Sequence, residues 1–346
     1  MRDLLAEVLT EPEARELVVR EALDAVPSIP LERELVELPV DQLIKRLIEG
    51  REAEPGPLAR ALNECGFALP PLPNMFFTRD TAMVLGDHVL IGSMRYDVRW
   101  TEELLMKALF RYHPSLANQG ILYDGSLERR INHTLEGGDV HVLRRDTVMI
   151  GFSQRSSPSA IDGLVELLFD HTAITNVIVV VMPKENTAIH LDMIFSQVDR
   201  DLAIVHAPHF IGPERLSTLL WRKGESRLRE MPDVFTALKA CDMPIEPIIC
   251  GGPRRIFQER EQWASGCNFV ALRPGLVLSY ARNEHTLREM EKMGFAVVPA
   301  VAFLTGQQRI GDSERAVITF EGAELVRGGG GPRCMSCPIL REDPWA

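Results

Sequence analysis

Five side chains in this 346-residue chain stand in settings where their chemistry matters more than their bulk. Arg327 opens a run of four glycines, Gly328 to Gly331, which leads through Pro332 and Arg333 into Cys334-Met335-Ser336-Cys337-Pro338. Consecutive glycines let the backbone take positive φ and let another group approach the main chain closely. A cysteine delivered by such a loop reads as a nucleophile. A redox Cys-x-x-Cys pair competes with that reading, but the motif belongs in a βαβ context that the flanking residues do not supply. The other four side chains are Asp80, Glu136, His190 and Asp192, and their neighbour Asp139 adds a further carboxylate.

A cysteine nucleophile must be a thiolate, and His190 offers the nearby cation, or an acid and base near neutral pH. Asp192, two residues on, falls on the same face of an extended segment and is expected to orient the imidazole. Cysteine with histidine alone would suit a peptidase. Peptide hydrolysis calls for oxyanion donors, however, whereas these carboxylates concentrate negative charge around the reacting carbon. Such a site fits a cationic electrophile, and a guanidinium is planar, always protonated and bound bidentately by carboxylates. Simpler readings stand beside this one. Gly-Gly beside Asp139 is common turn chemistry, and His190 taken alone fits a satisfied structural histidine. Metal ligation by Glu, His and Asp also competes, although no His-Glu-x-x-His helical pair occurs.

The elements that must position these groups recur along the chain. Residues 1 to about 70 read as a helical subdomain: Leu17, Val18, Ala22, Leu23 and Val26 fall near helical spacing, and a second helix over Val40–Glu49 ends on Gly50. Pro70-Pro71-Leu72-Pro73 marks the boundary with residues 71–346. Beyond it a unit of loop, strand, strand, helix, strand repeats four times, each round opening on a polar loop. The helices are predicted over 101–112, 159–170, after Pro213, and over 284–293. Cys334 lies in a fifth such loop. Repeats that cannot bury their own faces stack or close on one another, and closure about an axis would gather the five loops into one site.

A formal charge of −11 argues against nucleic acid as a partner and favours a cationic small molecule. The N-terminus alternates charge with leucine and no apolar run reaches eighteen residues, so neither secretion nor a membrane span is indicated, and a cytoplasmic protein is expected. The six cysteines match neither zinc-ligand spacing nor a disulfide scaffold.

Taken together, Asn74-Met75-Phe76-Phe77-Thr78-Arg79-Asp80, Leu135-Glu136-Gly137-Gly138-Asp139, His190-Leu191-Asp192 and Gly331-Pro332-Arg333-Cys334-Met335-Ser336 resemble the bacterial arginine deiminases of the guanidino-modifying, or pentein, superfamily. The resemblance runs from about residue 4 to the C-terminus. It implies an α/β fold, a fivefold propeller with an inserted helical subdomain. It also implies hydrolysis of L-arginine to L-citrulline and ammonia with no metal and no organic cofactor. By that resemblance Cys334 is the nucleophile, and His190 protonates the departing ammonia and then activates water. Asp80 and Asp192 bind the guanidinium, Glu136 adds a third carboxylate that assists proton transfer, and Asp139 is structural. Arg99 and Arg155 take the substrate α-carboxylate, and Asn268 contacts substrate. Family members carry strands before the helical insert that complete the module holding the cysteine. The start at Arg2-Asp3-Leu4-Leu5 therefore predicts a first module apparently missing, with open sheet edges beside Cys334. A non-catalytic or weakly active arginine-binding relative, another guanidine hydrolase and an amidinotransferase are the alternatives, and assembly as a homo-oligomer is left open.

Overall fold

The structure, a computed structural model, describes residues 1–64, 66–116, 120–128, 133–343 and 345. The chain starts with four helices, Arg2–Val8, Pro12–Ala25, Ile29–Glu37 and Val40–Glu49. Prolines occupy the first turn of the second and third, where a missing N–H costs nothing, and the Ser28 hydroxyl caps the third by accepting from Leu31 N. The fourth stops at Gly50, whose φ of +75° and close approach to the Leu69 carbonyl exclude a side chain. Their apolar faces share one core with the first sheet and the helix Trp100–Tyr112: Leu5, Val18, Leu35 and Leu47 cluster with Val89, Ile91, Leu104 and Leu105. One buried ion cluster sits at this junction. Lys107, 1% exposed, reaches Glu21 at 2.5 Å, Asp124 at 2.8 Å and the Ser126 hydroxyl at 3.1 Å.

Four modules follow, each an antiparallel hairpin, then a helix, then a strand parallel to the second hairpin strand. In the first, Ala82–Leu85 and His88–Ile91 form the hairpin, Trp100–Tyr112 the helix and Ile121–Asp124 the returning strand. The second uses Val140–Arg144, Thr147–Phe152, Pro158–His171 and Asn176–Val181. The third uses Phe195–Gln197, Leu202–Val205, Val234–Ala240 and Glu246–Ile249. The fourth uses Val270–Arg273, Leu276–Tyr280, Glu284–Lys292 and Ala316–Phe320. The result is an α/β fold of several small sheets with helices packed on them. Among the described residues no helix is long and apolar enough to cross a membrane.

Two details depart from the expected repeat. Ala296–Pro299 forms a strand as predicted, but Ala316–Phe320 lies between it and Leu276–Tyr280. The helix expected after Pro213 is not there. Thr218–Arg222 instead forms a strand that extends the second sheet by pairing with Asn176–Val181. Pro213 suits a helix start, but the run Leu219-Leu220-Trp221 gains more on a half-buried sheet, where Leu220 is fully buried. The third module's helix comes later, capped by the Asp233 carboxylate accepting from Thr236 N at 2.7 Å.

Candidate active site

Five of the predicted site residues share one topological position, just before the first strand of their module, whereas Arg99 and Arg155 follow the second strand of theirs. Asp80 is in the short helix Thr78–Thr81 ahead of Ala82, and Glu136 precedes the 3-10 turn Gly137–Asp139 ahead of Val140. His190 and Asp192 flank Leu191 ahead of Phe195, and Asn268 stands two residues before Val270. Cys334 arrives on a turn over residues 332–335. All six are buried, none more than 4% exposed.

Hydrogen bonds sort them into two groups. Around the imidazole, His190 Nε2 lies 2.8 Å from Glu136 Oε2 and Nδ1 lies 3.7 Å from Asp80 Oδ1. Glu136 also accepts from the Arg95 amide at 2.8 Å and from Arg155 Nη1 at 3.1 Å. Arg99 Nη1 donates to Asp80 Oδ2 at 2.9 Å, while its Nε and Nη2 grip Glu102 at 2.8 and 2.7 Å. Arg155 lies over the Tyr96 ring, 4.6 Å from its centroid, and its Nε is buried without a hydrogen-bond partner among the described residues. Around the thiol, Asn268 Nδ2 donates to Cys334 Sγ at 3.1 Å, and its Oδ1 accepts from the amides of Arg333 and Cys334 at 2.9 and 3.3 Å. Cys334 Sγ is 3.5 Å from Asp192 Oδ2, to which Arg333 Nη1 also donates at 2.9 Å.

The expected pairing of His190 with Asp192 is therefore corrected. His190 is extended, but the backbone turns into a 3-10 helix at Leu191, which rotates Asp192 away from the imidazole toward Cys334 and Arg333. Glu136 holds the ring instead. The glycines beside Glu136 have a steric purpose. A Cβ on Gly138 would lie 2.6 Å from His190 Cγ, and one on Gly137 would lie 2.0 Å from the Arg79 carbonyl. Asp139 accepts from Ser153, Ser156 and the Leu191 amide, at 2.6, 2.7 and 2.9 Å, and so fixes the loop that carries His190. On the cysteine side the glycine run is walled by Phe77, whose Cε1 would sit 2.4 Å from a Cβ on Gly330, while the Tyr280 hydroxyl donates to the Gly330 carbonyl at 3.2 Å. The Arg327 side chain and Cys65 lie outside the described residues.

Arg333, Tyr280, Ser153 and Ser156 were given no role from sequence. Arg333 adjoins the cysteine and the two serines frame Arg155, so their nearness to assigned residues was an available signal. Tyr280 had none beyond closing a strand.

Electrostatics set the two groups apart. Burial alone would lower the His190 pKa, but the Asp80 charge and the bond to Glu136 raise it to about 10. Burial would raise Glu136, yet the His190 bond and charge, with Arg155 and Arg99, hold it at about 2. Asp139 rises to about 6, chiefly by burial. Cys334 is pushed well above the ordinary thiol value by burial, then by Asp192 and Asp80. At neutral pH the unliganded site thus holds an imidazolium and a neutral thiol. Two carboxylate oxygens, Asp80 Oδ1 and Asp192 Oδ1, are buried without a hydrogen-bond partner among the described residues.

Asp80, Glu136 and His190 present ligand atoms within 4.8 Å of one another, a spacing a metal ion could use. Arg99 and Arg155 already bring cations to these carboxylates. The group therefore suits an organic cation better than a metal.

Comparison with known proteins bears on the same residues. A family model described as arginine deiminase matches residues 1–341. An arginine deiminase of Lentilactobacillus hilgardii is 35% identical over 290 residues, covering 80% of this chain and 62% of that protein. The chain thus spans about three fifths of the length of that relative. An arginine deiminase of Streptococcus gordonii is 30% identical over 367 residues, covering 99% of this chain and 83% of the other. Among solved structures, ArgZ, an arginine dihydrolase from cyanobacteria, superposes with a TM-score of 0.52 at 17% identity over 78% of this chain and 33% of its own. At that identity the likeness is one of fold.

Proposed function

Because the chain belongs to the arginine deiminase family, we propose that it hydrolyses L-arginine to L-citrulline and ammonia through a covalent intermediate on Cys334. The observation that carries the reading is the pair of buried oxygens Asp80 Oδ1 and Asp192 Oδ1, neither with a hydrogen-bond partner among the described residues, although the His190 ring stands 3.7 Å from the first. An unpaired buried carboxylate oxygen is costly, and a guanidinium bound between the two carboxylates supplies the missing donors.

The same cation solves the problem of the thiol. Burial, and after it the charges of Asp192 and Asp80, hold Cys334 protonated. A guanidinium between them offsets both charges, so the thiol loses its proton as substrate seats, with Asp192 Oδ2 at 3.5 Å as the acceptor. The thiolate then attacks the guanidinium carbon, and a C–N bond breaks as the His190 imidazolium gives its proton to the leaving ammonia. This leaves an amidino thioether on Cys334. Neutral His190, still held by Glu136, takes one proton from water as the water oxygen attacks the same carbon; the C–S bond breaks to give citrulline and the thiolate, the remaining hydroxyl proton passes to solvent where ammonia takes it up, and Asp192 returns its proton to the sulfur. Asn268 keeps the sulfur in place by its bond to Sγ.

Arg155 is our candidate for the α-carboxylate, because its Nε has no hydrogen-bond partner among the described residues and Tyr96 supports its guanidinium face. Arg99 is committed to Glu102 and Asp80, so its service to the α-carboxylate requires the substrate guanidinium to displace it from Asp80. The matching position of the site loops supports reading the sheets as blades of a fivefold propeller, with residues 1–70 as an inserted helical subdomain and 71–346 as the catalytic part.

Purified protein incubated with L-arginine under chelator should release citrulline and ammonia in equal amounts, with agmatine and methylated arginines poorer substrates. Citrulline release that persists fully in Cys334→Ala, or that requires added metal, would sink the proposal.

A further inference from the structure

A second concentration of charge lies against the turn that carries Cys334, and the reaction above makes no use of it. The Arg79 guanidinium packs there, Nε donating to the Arg333 carbonyl at 3.3 Å and Nη2 to the Ser336 hydroxyl at 2.9 Å, while the Arg79 amide donates to the Cys334 carbonyl at 3.2 Å. Arg333 lies alongside, and Arg341, at the surface, donates to the Val84 carbonyl. Arg79 and Arg333 are only 5% and 9% exposed. Among the described residues neither Arg79 nor Arg341 forms an ion pair, and the one carboxylate paired with any of the three is Asp192, through Arg333.

Buried cations in folded proteins are normally matched by anions, because an unmatched charge forfeits its hydration without return. Here two buried cations, Arg79 and Arg333, have one paired carboxylate between them, Asp192 on Arg333, and it also faces the thiol. The cost is visible at Arg79, whose pKa is lowered to about 9 by burial and then by the charges of Arg333 and Arg341. A second group bears the same mark. His141, 4% exposed, is kept neutral by burial and by the charges of Arg333 and Arg79, and its Nε2 has no hydrogen-bond partner among the described residues.

We propose that Arg79, Arg333 and Arg341, with Ser336 beside them, form a binding site for an oxyanion, a phosphate or carboxylate group. Guanidinium forks are built for such groups, and the bond from Arg333 to Asp192 connects the site to the catalytic cysteine. An anion held there neutralises the charge beneath the turn and stiffens the segment that delivers Cys334.

The test needs no arginine turnover, so it stands or falls apart from the deiminase reading. Thermal unfolding of the full chain is followed in phosphate, acetate and chloride at matched ionic strength, phosphate and acetate distinguishing a free phosphate from a carboxylate as the occupant. Phosphate also raises midpoints by exclusion from protein surface, so the criterion is the part of the rise that Arg341→Gln removes. A rise in phosphate or acetate that grows with the logarithm of anion concentration, beyond that in chloride, is expected. In Arg341→Gln the same rise should need about tenfold more anion or above, the equivalent of one charge-assisted bond. Arg155→Gln, which removes the other candidate carboxylate binder, should respond like the wild type. An unchanged response in Arg341→Gln, a response lost in Arg155→Gln, or no rise over chloride would overturn the proposal.

Discussion

The two halves of the site are built from similar residues, yet one holds its titrating group charged and the other holds its group neutral. On the histidine side, Asp80, Glu136, Arg99 and Arg155 surround an imidazole whose proton is retained to about pH 10. On the cysteine side, Asp192 and Asn268 surround a thiol that burial and Asp192 keep protonated. Burial opposes charge in both halves, and the difference lies in what opposes burial. His190 has three carboxylates acting on it, whereas the thiol has carboxylates where it would need a cation. The acid is ready in advance, and the nucleophile waits for the substrate to bring the missing charge.

The strongest way to break this contrast is to delete the waiting side. Cys334→Ala should lower kcat by roughly a thousandfold or more with the unfolding midpoint little changed, measured by citrulline release. Next in size, Asp80→Asn and Asp192→Asn each remove one charge-assisted partner of the guanidinium and should each cost roughly ten- to a hundredfold in kcat/KM. The two should differ in a second measurement. Asp192, whose Oδ2 is 3.5 Å from the sulfur, acts on the thiol more strongly than Asp80, so the pH midpoint for iodoacetamide alkylation of Cys334 should fall further in Asp192→Asn than in Asp80→Asn. Equal midpoints in the two variants would erase the distinction drawn between the halves.

A smaller effect sharpens the histidine side. Glu136→Gln removes a hydrogen bond and a charge that raise the His190 pKa, so the alkaline limb of kcat/KM should move to lower pH, by about one unit or more. Stability carries the same sign. The folded pKa of His190 lies above the ordinary 6.5, so the stabilisation from its pairing is complete below about 6.5 and is lost as pH rises through about 10. A Glu136→Gln protein whose unfolding midpoint falls as steeply with pH across that window as the wild type's would contradict this. Smallest of all, Cys337→Ala should leave turnover within about a factor of two, because Cys337 is half-buried and its sulfur reaches only the Ala82 carbonyl.

Much of this arrangement was legible from local signals. Glycine beside an acid, cysteine after a glycine run and the recurrence of hairpin, helix and strand all act over a few residues, and the structure places Glu136, Cys334 and the first, second and fourth module helices accordingly. What sequence spacing missed depended on the chain bending or on distant partners. The His190–Asp192 relation assumed an extended segment, and one 3-10 turn at Leu191 reversed it. The segment after Pro213 reads as helix or strand until the edge of Asn176–Val181 is present to pair with it. Only half of the load on Arg99 was legible, because Glu102 is a near neighbour on any helix while Asp80 becomes one only through the fold.

Lys107 offers a use beyond stability. Its ammonium is closed off by Glu21 from the N-terminal helices and by Asp124 and Ser126 from the first module. An acylating reagent can therefore reach that nitrogen only while the two parts are separated, and its labelling rate reads the frequency of that separation directly. Mass spectrometry of the Lys107 peptide against surface Lys45 in the same digest would thus time the lifting of the helical unit in the native protein without any added probe.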